Sequence, residues 1–228
     1  MKRFYKQVSV TPELAILLDA RPVKTPAKAL LTLPNAALAE AVAEEWRAQG
    51  TDINPFSMPF TGLANAAIDR VCADPADFAA GIATYAETEL LCYRAGDPPE
   101  LVARQADLWD PILTWAEHRY GVSFTRVTGI MHQPQPAETL TRLSQAVAGR
   151  SAWELAPLSP LVTISGSLLI PLAMLDDAMP AETAFDAAHL DELWQAEQWG
   201  EDDFALETRA AHRKDFLAAA QFLDWVRA

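Results

Sequence analysis

The sequence predicts an α+β fold: a small two-layer N-terminal domain, in which an antiparallel sheet packs with helices, followed by a larger all-α C-terminal domain. Three observations predict it. Up to Pro34, short apolar runs are separated by the turn formers Pro12, Pro22 and Pro26. Beyond Asp74-Pro75, apolar residues recur at helical spacing. The chain has 228 residues and is 50% hydrophobic and 21% charged, enough apolar material for one large core or two small ones.

In the first third, Phe4 to Val10 alternates in the manner of a strand, Leu14 to Leu18 is a second apolar run and Leu30 to Leu33 a third. A helix is expected from Pro34-Asn35, carried by Leu38, Ala41, Val42, Glu45 and Trp46 and ended by Gly50. A proline-bounded loop, Asn54 to Pro59, precedes a second short helix over Thr61 to Val71. Asp74-Pro75 reads as the next helix start, because proline suits the first turn. The domain boundary is placed there, giving domains 1–74 and 75–228. In the second domain, one helix is expected over Ala76 to Arg94, and two more over Pro98 to Trp109 and Asp110 to Tyr120, the last capped by Asp110 and closed by Gly121. Val122 to Met131 reads as an extended connector. Helices are expected to resume at Pro136, near Ser151, at Pro160, at Pro180 and at Asp203. Leu155 to Leu175 carries no charge but holds Pro157, Pro160 and Pro171, and reads as a buried central helix kinked at Pro171 rather than a membrane span.

Residues that would carry chemistry are scarce. The nine glycines form no phosphate-cradling loop. His118, His132, His189 and His212 have no metal-site spacing, and Cys72 and Cys92 match neither a redox pair nor a zinc knuckle. Ser165-Gly166-Ser167 lacks the pattern of a nucleophile elbow, and its glycine is expected to let two helices approach closely. No catalytic residue, cofactor or metal is therefore expected. The net charge of −13 disfavours nucleic acid and anionic lipid as partners. No secretory signal is read at the N-terminus, which places the protein in the cytoplasm of a bacterium, or in the mitochondrial matrix if it is eukaryotic.

Two charge features point to a partner surface. Residues 1–30 hold six basic and two acidic side chains, and Arg21, Lys24 and Lys28 cluster with Pro22 and Pro26. Residues 176–207 hold eleven acidic side chains and no Lys or Arg, with Leu190, Trp194, Trp199 and Phe204 among them. Aromatic anchors supply burial at an interface while charges set orientation. Asp191, Trp194, Gln195, Trp199, Glu201, Asp203 and Glu207 are thus candidate partner-binding residues, with two helices meeting at Gly200. Arg21 and Lys24 form a second candidate patch. A solvated acidic helix face and a solvated basic loop are the bland alternatives.

An ordered succession of motifs then carries a resemblance. It begins with Arg3-Phe4-Tyr5-Lys6 and with Leu18-Asp19 followed by Arg21-Pro22-Val23-Lys24-Thr25-Pro26. Glu44-Glu45-Trp46, Met58-Pro59 and Leu63 to Arg70 come next. Leu90 to Arg94, Gln105, Trp109-Asp110-Pro111, Ser165-Gly166-Ser167, Gln195 and Trp199-Gly200 complete it. The chain resembles the ATP synthase alpha-subunit assembly chaperone family. The resemblance implies a two-domain fold and a role in binding the unassembled alpha subunit until beta arrives. It implies no enzymatic activity, and the free protein is expected to be monomeric. Ala20 stands where the family turn usually has glycine, and Glu89 where aspartate is usual. A small enzyme with an unmarked carboxylate acid–base site is the alternative reading.

Overall fold

The computed structural model describes residues 1–228. They divide into two compact units. The first comprises residues 1–78, 151–157 and 218–228, and the second residues 79–150 and 158–217. The first unit thus draws in two stretches that the sequence places in the helical domain.

In the first unit, β1 (Val8–Val10), β2 (Ile16–Leu18) and β3 (Arg21–Pro22) form an antiparallel sheet in the order β1-β2-β3, with Val8 opposite Leu18 and Leu18 opposite Arg21. The Asp19-Ala20 turn forms without glycine. Asp19 takes the left-handed φ of 55°, and its carboxylate accepts the Lys6 and Gln7 N–H groups. The third apolar run joins only through isolated bridges, Ala15 to Thr32 and Lys24 to Leu30.

Helix α1 (Ala36–Arg47) starts at Asn35, whose side-chain oxygen accepts the Leu38 N–H at 2.9 Å while its amide donates to the Trp225 carbonyl at 2.7 Å. Its inner face, Leu38, Ala39, Val42 and Ala43, packs with Ile16, Leu31, Leu33, Ala64 and Phe222. Glu45 is also buried. Its carboxylate accepts the Phe60 and Thr61 N–H groups and the Thr61 hydroxyl, each at 2.7 Å, and so caps α2 (Pro59–Ala66). The chain continues as a π turn, Ala67–Val71.

The second unit departs from the sequence reading in three places. The helix expected over residues 76–94 ends early. Helix α3 (Pro75–Ala83) is followed by 3-10 turns at Thr84–Ala86 and Leu90–Cys92 and by the two-residue strand β4 (Tyr93–Arg94). The cause is Glu89. Its φ of −51° and ψ of 118° leave the helical region, and its carboxylate accepts the Leu91 N–H. The two helices expected around Asp110-Pro111 are one, α4 (Pro99–Tyr120), closed by Gly121 at φ 65°. A proline inside a helix costs about 3 kcal/mol. Burial of Leu101, Trp109, Ile112, Leu113 and Ala116 along one stripe outweighs it, at about 1.5–3 kcal/mol for each large side chain. Asp110 pairs with Arg94 (2.6 Å) and Arg126 (3.2 Å) instead of capping.

The third departure is the central apolar stretch, which is two helices, α6 (Ala152–Ser165) and α7 (Leu169–Leu175). The chain breaks at Gly166, not at Pro171, which lies in the first turn of α7 where no backbone donor is lost. Gly166 has φ 65°, and a Cβ there would meet nothing within 4 Å, so conformation rather than close helix approach requires the glycine. Strand β5 (Val127–Thr128) pairs in parallel with β4, and α5 (Ala137–Ala148) comes between it and α6. The remaining helices are α8 (Ala181–Ala188), α9 (Leu190–Trp199) and α10 (Asp203–Arg227). No helix is long and apolar enough to cross a membrane.

Candidate partner-binding surfaces

The α9–α10 elbow belongs to the second unit. Gly200 ends α9 with φ 81°, and its N–H donates to the Ala196 carbonyl at 2.9 Å. Asp202 restarts the chain as a helix by accepting the Ala205 N–H at 2.8 Å. Between the two helices lies an open groove of about 430 Å³, lined among others by Glu192, Gln195, Trp199, Asp202, Phe204 and His212. Trp199 and Phe204 at its edge are 75% and 79% exposed. Large aromatics left in water carry a transfer penalty that partner burial would remove.

The seven candidates of this segment divide by position. Gln195, Trp199 and Glu201 line the groove, whereas Asp203 and Glu207 lie exposed on the first turns of α10. Trp194 is buried and meets Trp199 edge-on at 5.8 Å, so it supports the surface from within. Asp191 is half-buried and accepts the Gln105 amide at 2.7 Å, while the Gln105 oxygen accepts the Ala95 N–H. Its position is that of a structural tie.

The acidity of the segment is also redistributed in space. Residues 176–207 contain no Lys or Arg, yet arginines from outside the segment reach them. Arg119 and Arg150 meet Asp176 (2.5 and 3.6 Å), and Arg104 meets Glu197 (2.7 Å). Arg213 pairs with Glu182 and Asp186, and Arg209 with Glu201. Asp191, Glu192, Asp202, Asp203 and Glu207 have no ion pair. The unneutralised charge therefore lies on α9 and at the start of α10, the segment that carries the exposed Trp199 and Phe204.

Other polar groups of this unit are internal. Glu89 is fully buried. It accepts the N–H groups of Leu168 (2.8 Å), Leu169 (3.1 Å) and Leu91 (3.3 Å), and burial raises its pKa to about 7 against the pull of these donors and the Ser167 hydroxyl. Burial pushes the Cys92 thiol up to about 12, which keeps it an inert thiol, and both cysteines are free. Burial lowers the pKa of His189, which stacks on Phe185. No cluster of three or more His, Cys, Asp or Glu is placed to hold a metal ion.

The basic patch belongs to the first unit. Arg21 lies in β3, and Lys24 opens a hairpin by pairing with Leu30. The hairpin is braced from the π turn. Asp69 accepts the Thr25 hydroxyl at 2.6 Å with one carboxylate oxygen and the Ala27 N–H at 2.9 Å with the other. The sequence reading names Asp69, Glu45 and Glu89 only within motifs or helix patterns and gives none of them a bonding role. Each is a carboxylate whose partners include backbone N–H groups, which leave no mark in the sequence.

A family model described as ATP12 chaperone protein matches residues 2–117. Atp12 from Paracoccus denitrificans is 37% identical, with 99% of this chain and 98% of that one covered and a TM-score of 0.92. A mutant of that protein matches with TM-score 0.94 at the same identity. The Atu1473 protein of Agrobacterium tumefaciens is 42% identical, with 98% of this chain and 85% of that one covered and a TM-score of 0.91.

Proposed function

The chain belongs to the ATP12 chaperone family, and from that premise we propose that it is an assembly chaperone of the F-type ATP synthase that holds the unassembled alpha subunit in the bacterial cytoplasm. An alpha subunit awaiting beta exposes apolar surface, an aggregation hazard that a chaperone must cover and later release. The observation that carries the reading is the α9–α10 elbow, where Trp199 and Phe204 stand exposed over a groove beside the unpaired Glu192, Asp203 and Glu207. Two aromatic anchors give burial on contact. Carboxylates at the rim add orientation and fast exchange without the penalty of a buried charge. Gln195 and Glu201 complete this surface, Asp191 and Trp194 hold it in shape, and Arg21 and Lys24 contribute contacts from the first unit.

The test dilutes denatured alpha subunit into buffer with and without the chaperone and follows light scattering. Stoichiometric chaperone is expected to suppress aggregation. The double variant Trp199→Ala/Phe204→Ala is expected to lose most of that effect while its melting temperature holds, because both side chains are solvent-exposed. No suppression by the wild-type chain would overturn the function, and full suppression by the folded double variant would overturn the surface.

A further inference from the structure

Residues 24–30 form a hairpin whose loop is built against its own conformational preference. The Thr25 N–H donates to the Ala29 carbonyl (2.9 Å) and the Lys28 N–H to the Thr25 carbonyl (2.8 Å). That is the pattern of a three-residue loop ending in a left-handed residue. Pro26 occupies the turn position its fixed φ suits. The left-handed position, at φ 71°, is held by Lys28. Glycine fits such a position without cost, and a β-carbon there is strained. The loop nevertheless keeps its shape, because Asp69 grips Thr25 and Ala27, and the Thr25 hydroxyl accepts the Ala29 N–H at 3.1 Å.

The charge of the hairpin is unneutralised as well, like that of the chain's other lysines. Every arginine of the second unit, from Arg94 to Arg213, is ion-paired. Lys24 and Lys28 are exposed with no carboxylate at ion-pair distance, in a chain of net charge −13. Both oxygens of Asp69 are turned to the loop's own donors. Beside Lys24, its bridge partner Leu30 is 52% exposed. A braced loop thus presents two unspent cations and an apolar side chain, one of the cations at a strained position. Strain held against a better local residue points to a use for that residue.

We propose that the hairpin Lys24–Leu30 is a preorganised docking site for an acidic polypeptide segment that also carries an apolar side chain, with Lys24 and Lys28 as its cationic contacts, Leu30 as its apolar contact and Asp69 as its positioning residue. The inference deepens the chaperone reading by naming the chemistry of one contact, since a client protein is the natural source of such a segment. Charge complementarity selects it: acidic peptide is attracted to this loop and repelled by the net charge of the molecule.

The experiment measures fluorescence anisotropy of a labelled Glu/Leu-alternating peptide with the full chain, against a Lys/Leu peptide of equal length. The acidic peptide is expected to bind in a salt-sensitive manner. Lys24→Glu/Lys28→Glu should weaken that binding by about tenfold or more, and Lys214→Glu, an exposed lysine on α10, should leave it unchanged. Asp69→Ala should weaken it several-fold with every cation retained. Lys28→Gly should weaken it while the melting temperature stays level or rises, an outcome that a purely structural lysine could not give. The proposal is overturned if the wild type shows no preference for the acidic peptide, if the double reversal binds normally, or if inorganic phosphate at comparable concentration displaces the peptide fully, which would mark a simple anion site. Aggregation of alpha subunit is scored on the same variants. Loss of peptide binding with alpha capture intact would remove the client as the source of the segment and leave the chaperone role standing. Failure of the wild type itself to capture alpha subunit would strike the function instead.

Discussion

Replacing Glu89 by glutamine should change how stability depends on pH rather than simply lower it. The side chain has no exposed surface and accepts three backbone N–H groups that join the Leu90–Cys92 turn to the start of α7. Two effects oppose each other. Desolvation favours the neutral acid, while the N–H donors and the Ser167 hydroxyl favour the carboxylate, and desolvation wins, raising the pKa from 4.5 to about 7. The folded chain therefore binds this proton more tightly than the unfolded chain. The stabilisation is fully present below pH 4.5 and is lost as pH rises through about 7. Linkage makes wild-type folding less favourable by about 2–3 kcal/mol on going from about pH 5 to about pH 8 from this group alone. Glutamine keeps an oxygen for Leu168 and Leu169 and cannot ionise. Urea unfolding of wild type and Glu89→Gln at both pH values gives a double difference in which every other titrating group cancels. The variant should gain on the wild type by about that amount at the higher pH. A double difference near zero, or a wild type that gains at the higher pH, would refute the reasoning and mean that the donors outweigh burial.

Other substitutions separate local roles. Asn35→Ala removes both the cap of α1 and the bond to the Trp225 carbonyl, and should cost about 1–2 kcal/mol by denaturant titration. Gly166→Ala should cost about 1 kcal/mol or more although space for the methyl exists, because the penalty lies in φ. Glu207→Lys should leave the midpoint within about 0.5 kcal/mol and reduce alpha-subunit capture in a pull-down, whereas Asp191→Lys should lower the midpoint through loss of the Gln105 contact.

Local signals explain what the sequence made legible. Asn35 before an apolar stripe, proline at the first turn of α3, and glycine after α4 and α9 each fix a boundary through the chemistry of one or two neighbouring residues. The failures share one physical origin. Glu89 ends a helical pattern to reach backbone donors more than seventy residues away in sequence. Pro111 is kept inside α4 because tertiary burial overrides its local penalty. The first unit recruits Trp153, Phe222 and Trp225 from the distant half of the chain, which no boundary read along the sequence could place there.

The candidate surface obeys the same division. Composition identified the acidic segment and its aromatics, but it overcounted the charge available to a partner. Asp176, Glu182, Asp186, Glu197 and Glu201 are each met by an arginine from another part of the second unit. Pairing of this kind contributes little stability where it is exposed. Its larger effect is on the electrostatic field, since neutralised carboxylates no longer steer a partner, and the field narrows to Asp191, Glu192, Asp202, Asp203 and Glu207 on α9 and at the start of α10. A run of like charge in sequence is thus an upper bound on a charged surface, and the arginines decide which part of it faces a partner. The converse holds in the first unit. There Asp69 turns its carboxylate to an N–H and a hydroxyl of the loop rather than to a lysine, so the hairpin keeps Lys24 and Lys28 unneutralised in a protein that is otherwise strongly acidic.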